Sequence, residues 1–144
     1  MNKFMKAAYQ QAQKAYELGE VPVGAVIVKD QKIIARAYNT REKNQDFLGH
    51  AEINVMKKAA KKLKTWRLED CEIYVTLEPC CMCAGSMIQA RIKAVYYAAV
   101  DQKGGCCESL TNLFDINVNH KVKYISTPDN KCAKILTQFF QNLR

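Results

Sequence analysis

Four residues carry chemistry by type and spacing: His50, Glu52, Cys80 and Cys83. Cys80 and Cys83 are three apart, so on a helix they share a face. Two thiolates and one imidazole are a donor set that suits zinc. A helix N-terminus beneath such cysteines lowers thiol pKa and favours the metal-binding thiolate. Glu52 lies two residues from His50, about 200° around an ideal helix, so the two are not expected to ligate one metal. At a helix start, Glu52 instead leans over the open face of the site. Three protein ligands plus one open position is the pattern of a catalytic zinc. A water in that position has its pKa lowered toward ~7, and a carboxylate beside it is a natural proton shuttle. Alone, a C-x-x-C pair also fits a closed structural zinc or a redox pair. A redox pair would have no use for Glu52. Cys81 sits about 100° from Cys80 on a helix and is expected to point elsewhere.

The elements that must position these residues are legible from periodicity. Residues 2–18 read as an amphipathic helix with Phe4, Ala8, Ala12, Ala15 and Leu18 on one face, and Gly19 as its stop. Residues 24–28 and 33–37 read as strands joined by a polar hairpin turn at 29–32. After a polar loop at 39–49, residues 51–63 form a helix that starts at His50. Its apolar face is Ile53, Met56, Ala60 and Leu63, with Lys57, Lys58, Lys61, Lys62 and Lys64 largely off that face. Residues 71–77 are a buried strand. Pro79 is placed to open a helix over 80–91. A strand at 94–100, a loop, a helical turn at 110–114 and a short strand at 122–125 follow. Thr127-Pro128 reads as the cap and first residue of a last helix reaching about 143. The order α-β-β-α-β-α-β-(α)-β-α predicts an α/β protein: a three-layer α/β/α sandwich with a mixed, roughly five-stranded sheet, as one domain over 1–144. Sites in such sheets form where helix N-termini follow the carboxyl ends of strands, as at His50 and at Pro79-Cys80.

Composition narrows the class. With 49% hydrophobic and 25% charged residues the chain is neither disordered nor fibrous. No apolar run is long enough to span a membrane, and residues 1–13 lack the apolar block of a signal peptide. Twenty-two Lys plus Arg against fourteen Asp plus Glu give a net charge of +8, which favours polyanionic partners. Seven cysteines, an odd number, argue against a disulfide framework and for a reducing, cytoplasmic setting. Cys71, Cys106, Cys107 and Cys132 read as small buried apolar side chains.

The order His50-Ala51-Glu52 followed by Pro79-Cys80-x-x-Cys83 is the signature of zinc deaminases, and the roles assigned above draw on it. Along nearly its whole length the sequence resembles the bacterial tRNA adenosine deaminases of the cytidine deaminase-like superfamily. The resemblance is carried by Val21-Pro22-Val23-Gly24-Ala25-Val26, Asn39, His50-Ala51-Glu52-Ile53, Tyr74 through Cys80, and Met82-Cys83-Ala84-Gly85. It continues through Lys103-Gly104-Gly105, Ser109-Leu110, Asn112-Leu113, Asn119-His120 and the ending Phe139-Phe140 to Leu143-Arg144. It implies that His50, Cys80 and Cys83 bind one zinc per subunit, that Glu52 shuttles protons, and that Asn39, Ala51 and Glu78 face the substrate. It also implies a homodimer that binds a tRNA anticodon loop and converts the wobble adenosine of an arginine tRNA to inosine. Two positions depart from the family: Asp46-Phe47-Leu48 stands for its Asp-Pro-Thr, and Glu108 for its Gly. A carboxylate at 108 is expected to repel phosphate.

Two other functions fit parts of the pattern. A deaminase of a free nucleobase or nucleoside (cytosine, cytidine or guanine) shares the zinc logic but needs no +8 surface. A non-catalytic, zinc-stabilised RNA-binding module needs a fourth protein ligand, which Cys81, Cys106 or Cys107 would supply. His120 reads as a structural or surface histidine. Of Phe139 and Phe140, which diverge on a helix, one is expected in the core and the other over a groove or against RNA.

Overall fold

A computed structural model describes residues 1–143; Arg144 of the motif at the chain's end lies outside the described residues. Its elements are α1 (Lys3–Glu17), β1 (Gly24–Lys29), β2 (Lys32–Tyr38), α2 (Ala51–Leu63), β3 (Cys71–Leu77), α3 (Cys81–Gln89), β4 (Ala94–Ala99), a 3-10 turn (Leu113–Asp115), β5 (Lys123–Ser126) and α4 (Asn130–Asn142). The five strands form one mixed sheet in the order β2-β1-β3-β4-β5. β1 runs antiparallel to both β2 and β3, while β3, β4 and β5 are parallel. Alternation along the strands feeds two cores. Ala25, Ile27, Ile73, Val75, Val95 and Tyr97 pack beneath α2 and α3. Val26, Val28, Tyr74 and Ala98 pack beneath α1 and α4 with Phe4, Met5, Ala8 and Cys132. The chain is therefore a three-layer α/β/α sandwich.

Local chemistry explains most boundaries. The Asn2 side chain accepts from the Phe4 N–H and caps α1. α1 ends in a Schellman turn at Gly19, whose φ of +78° suits glycine, with Glu20 N–H reaching back to the Ala15 carbonyl. The β1–β2 hairpin turns through Asp30 and Gln31, both at positive φ. Gly24 lets α1 lie against β1, since a Cβ there would collide with the Ala8 carbonyl.

Three expectations need correction. Cys80 keeps an extended backbone (φ −75°, ψ 174°) and is the N-cap of α3, so Pro79 stands outside the helix rather than opening it. The chain is still on the sheet at Glu78, whose N–H donates to Ala99 O. Thr127-Pro128 does not start α4. The Thr127 N–H donates to Tyr97 O and the Asp129 N–H to Ala98 O, which holds the segment against β4. Asp129 is the cap instead, accepting from the Lys131 N–H. The helical turn expected at 110–114 is a 3-10 turn confined to Leu113–Asp115, because the Leu110 and Leu113 N–H groups fold back to Gly105 and Cys106.

Candidate active site

The carboxyl ends of β2, β3 and β4 emerge at one edge of the sheet, beside the entry to β1. The N-termini of α2 and α3 converge on the same edge, and a cavity of about 310 Å³ opens there. Val21, Val23 and Leu77 give it apolar walls, and Asn39, Arg41, His50, Glu52 and Asp101 give it polar ones.

His50 is the N-cap residue of α2 and Cys80 that of α3. The two helices therefore present the imidazole and the thiols to each other. His50 Nδ1 lies 3.6 Å from Cys80 Sγ and 3.5 Å from Cys83 Sγ. One donor atom from each of the three residues lies within 4.8 Å of the others, a group that could hold a metal ion. Electrostatics within the cluster are strongly polarised. The hydrogen bond from Cys83 holds the Cys80 thiol down at about 4, against its burial, with His50 assisting. The bond to Cys80 pushes the His50 imidazole up, against its own burial. The hydrogen bond between Cys83 and Cys80, followed by burial, pushes the Cys83 thiol far up. Without a metal, the cluster therefore favours the thiolate at Cys80 over one at Cys83, and favours the charged form of the His50 imidazole beside it.

Glu52 lies in the first turn of α2 and is only 4% exposed, yet lines the cavity. Burial pushes its carboxyl up to about 7, despite its own backbone N–H and His50 pulling down. A carboxyl poised near neutrality suits both taking and giving a proton. Asn39 and Ala51 also line the cavity. Asn39 is oriented by its neighbours: its Oδ1 accepts from the Arg41 N–H at 3.0 Å, and its Nδ2 donates to Val21 O at 3.3 Å. The loop that carries Arg41 is fixed from outside the cavity. Buried Glu20 accepts from the Glu42 and Lys43 N–H groups, and Asn54 Nδ2 donates to Tyr38 O and Thr40 Oγ1.

Glu78 lines the same cavity, but its carboxylate is turned to a structural task. Oε1 accepts from the Asp101 N–H at 3.0 Å and from the Ser109 hydroxyl. Oε2 accepts from the N–H groups of Cys107, Glu108 and Ser109 at 2.8–3.0 Å. Burial pushes this carboxyl up, but the Ser109 hydroxyl and the backbone donors outweigh it and hold it below its ordinary value. Gly105 is required at the clasp, because a Cβ there would collide with the Glu78 carboxylate.

The cysteines need one correction. Cys106 is buried as expected, but it is not a free apolar side chain: it forms a disulfide with Cys81. Two of the three cysteines that a closed four-ligand metal site would draw on are therefore bonded to each other. Cys71, Cys107 and Cys132 are free and buried. Glu108 is exposed, and its carboxylate accepts from the buried Tyr97 hydroxyl at 2.8 Å, so part of its charge is spent inward. Phe47 is 79% exposed on the loop before His50. Phe139 packs edge-on against Tyr16, while Phe140 is 47% exposed and lines the cavity. His120 bonds to Ile92 O. The five lysines of α2 and its C-cap are exposed.

Sequence reasoning missed Arg41 and Asp101 as cavity residues. Asp101 had a usable signal, since it follows the carboxyl end of a strand. Arg41 had only its nearness to Asn39.

The whole chain, residues 1–144, matches the family model of MafB19-like deaminases. It is 47% identical to the tRNA-specific adenosine deaminase of Bacillus subtilis, over 98% of this chain and 89% of that protein. The corresponding Aquifex aeolicus protein is 44% identical over 98% and 94%. A solved structure from a study of A-to-I editing by tRNA:A34 deaminases at the wobble position superposes with a TM-score of 0.89. It is 41% identical, covering 92% of this chain and 98% of the other. Guanine deaminase from Bacillus subtilis superposes with a TM-score of 0.65 at 33% identity, over 83% and 88% of the two chains.

Proposed function

The chain belongs to the MafB19-like deaminase family, and on that premise we propose that it hydrolyses the 6-amino group of adenosine at the wobble position of a tRNA anticodon, giving inosine and ammonia. The substrate reading is supported by near full-length likeness to proteins named tRNA-specific adenosine deaminases. The observation that carries the chemistry is the triangle of His50, Cys80 and Cys83 with buried Glu52 beside it in one cavity.

The donors fit zinc. A tetrahedral zinc with Zn–S of ~2.3 Å and Zn–N of ~2.05 Å sets its sulfur and nitrogen ligands about 3.6 Å apart. The nitrogen–sulfur separations here are 3.6 and 3.5 Å. His50 through Nδ1, Cys80 and Cys83 are the residues that would hold it. Bound there, zinc supplies Lewis acidity that brings the pKa of a water toward neutrality.

The chain's own residues do the rest. Glu52 takes a proton from the attacking water and gives it to ring nitrogen 1 of the adenine. It then takes the proton of the new hydroxyl on carbon 6 and gives it to the departing amine, so that carbon 6 becomes a carbonyl and ammonia leaves. Burial pushes this carboxyl up in the metal-free site, which favours its holding a proton between the two transfers. Asn39 retains one amide N–H and one lone pair beyond its two internal bonds, enough to address the edge of an extruded base. Val21, Val23 and Leu77 exclude water from the ring. Arg41 and the net charge of +8 attract the anticodon phosphates, and Phe140 offers a face on which a neighbouring base stacks.

The narrower assignments follow from this reading: an arginine tRNA as substrate, a cytoplasmic location, and a homodimer. An apolar groove between α2 and α3, lined by Ile53, Met56, Ala60, Trp66, Leu68 and Ala90, supports a second copy as a partner. Among the described residues no helix is long and apolar enough to cross a membrane.

The likeness to a guanine deaminase favours one second reading, turnover of a free purine. One experiment separates the two. Zinc-loaded protein is given total tRNA, then guanine and cytidine, and inosine and ammonia are measured at rising salt. Salt-sensitive inosine at the wobble position supports the proposal. Salt-insensitive turnover of the free base at a matching rate refutes it.

A further inference from the structure

The Cys81–Cys106 disulfide ties together two parts of the site that lie 25 residues apart along the chain. Cys81 is the first residue of α3, between the donors Cys80 and Cys83. Cys106 lies in the loop from Asp101 to Ser109, which begins at a cavity residue and ends in the N–H groups held by Glu78. The loop is therefore fastened twice, by a carboxylate at one point and a covalent bond at another.

The two sulfurs differ in access. Cys106 is 1% exposed, whereas Cys81 is exposed. Ser86 and Ala90 are the α3-side residues that line the α2–α3 groove; on an ideal helix Cys81 lies about 140° from Ser86 and about 180° from Ala90, so covering that groove leaves it open. The partner positions do not depend on the bond. The Cys106 N–H donates to Pro79 O at 2.8 Å, and its carbonyl accepts from the Leu113 N–H at 2.9 Å, so the thiols of a reduced protein stay opposed. The Cα atoms are 5.3 Å apart, within the ordinary range for a bridge. Cys71, Cys107 and Cys132 are buried and do not compete for a reagent in solution.

We propose that Cys81–Cys106 is a reversible thiol–disulfide modification site, through which small thiols and disulfides set the stiffness of the 101–109 loop while leaving the metal donors untouched. A small thiolate attacks the exposed Cys81 sulfur; the bond to Cys106 breaks, and Cys106 leaves as a thiolate and takes a proton from water. A second small thiol attacks the mixed disulfide and releases Cys81, which is protonated in turn. Two small thiols become one small disulfide, and two electrons pass to the protein. With a small disulfide as oxidant the same steps run backwards.

The test uses the full-length, zinc-loaded chain equilibrated at set ratios of reduced to oxidised glutathione. Alkylation and peptide mass read each cysteine, metal analysis reads zinc, and hydrogen exchange reads residues 107–109. The expected result is one transition in which the thiols of 81 and 106 appear together at constant zinc, with loop exchange about tenfold faster when reduced. Cys81→Ser should exchange like the reduced protein at every ratio. Free 81 and 106 thiols at all ratios, oxidation of Cys80 or Cys83 with zinc loss, or equal exchange in both states would each overturn the proposal. None of these readouts depends on the substrate.

Discussion

Replacing Glu78 with Gln separates a loop clasp from a substrate contact. The side chain is 2% exposed and keeps its shape in the variant. Its best orientation leaves the amide oxygen facing the three N–H groups of Cys107, Glu108 and Ser109, and the amide nitrogen in the place of Oε1. The Ser109 hydroxyl can reverse and accept, but the Asp101 N–H then faces a donor. Three bonds lose the help of a charge, at about 1 kcal/mol each, and one half-buried N–H is orphaned at about 1 kcal/mol, the low end of such a loss. The sum is roughly 4 kcal/mol, which in a chain of this size lowers Tm by roughly 10 °C. Scanning calorimetry on zinc-loaded protein measures this, and hydrogen exchange places the damage at 107–109. The pH dependence has a definite sign. The folded pKa is depressed, so the stabilisation is present above the unfolded carboxyl value of ~4.3 and is lost as pH falls through the folded one. The gap between wild type and variant should therefore close in acid. A variant that melts within about 2 °C of wild type, with unchanged loop exchange, refutes the clasp.

Glu52→Gln should keep its zinc and lose inosine formation by about 10²- to 10⁴-fold; activity near wild type would remove Glu52 from the chemistry. In the metal-free protein burial pushes the folded Glu52 carboxyl up to about 7, above its ordinary value of 4.5. Its stabilisation is complete below 4.5 and lost as pH rises through 7, so wild type should lose about 3 kcal/mol relative to the variant across that window, read by urea melts. Zinc binding at pH 7 should release at least one proton, that of Cys83, plus whatever His50 carries. Calorimetric titration in buffers of different ionisation enthalpy counts it. Phe140→Ala should leave Tm nearly unchanged and raise KM for an anticodon stem-loop about tenfold or more, a stacking loss of about 1–3 kcal/mol. An unchanged KM would take Phe140 out of RNA binding.

Much of this molecule is written locally in its sequence. α2 and β3 fall at the residues that periodicity assigns, because a burial stripe of 3.6 or 2 is a property of neighbours along the chain. The three residues that could hold a metal are legible for the same reason: each stands at a helix start, and helix starts at strand ends face one place in an α/β sheet. What the sequence could not say rests on partners far apart in it. Glu78 reads as a residue that faces the substrate, and its other task, the clasp on the loop after β4, rests on donors 23 to 31 residues away. Cys106 reads as one more small apolar residue until the fold sets it opposite Cys81. Thr127-Pro128 reads as a helix start until β4 is seen to hold it. No local period records which buried donor will meet which acceptor, or which two sulfurs will meet. Those pairings exist only once the sheet has brought its carboxyl edge together.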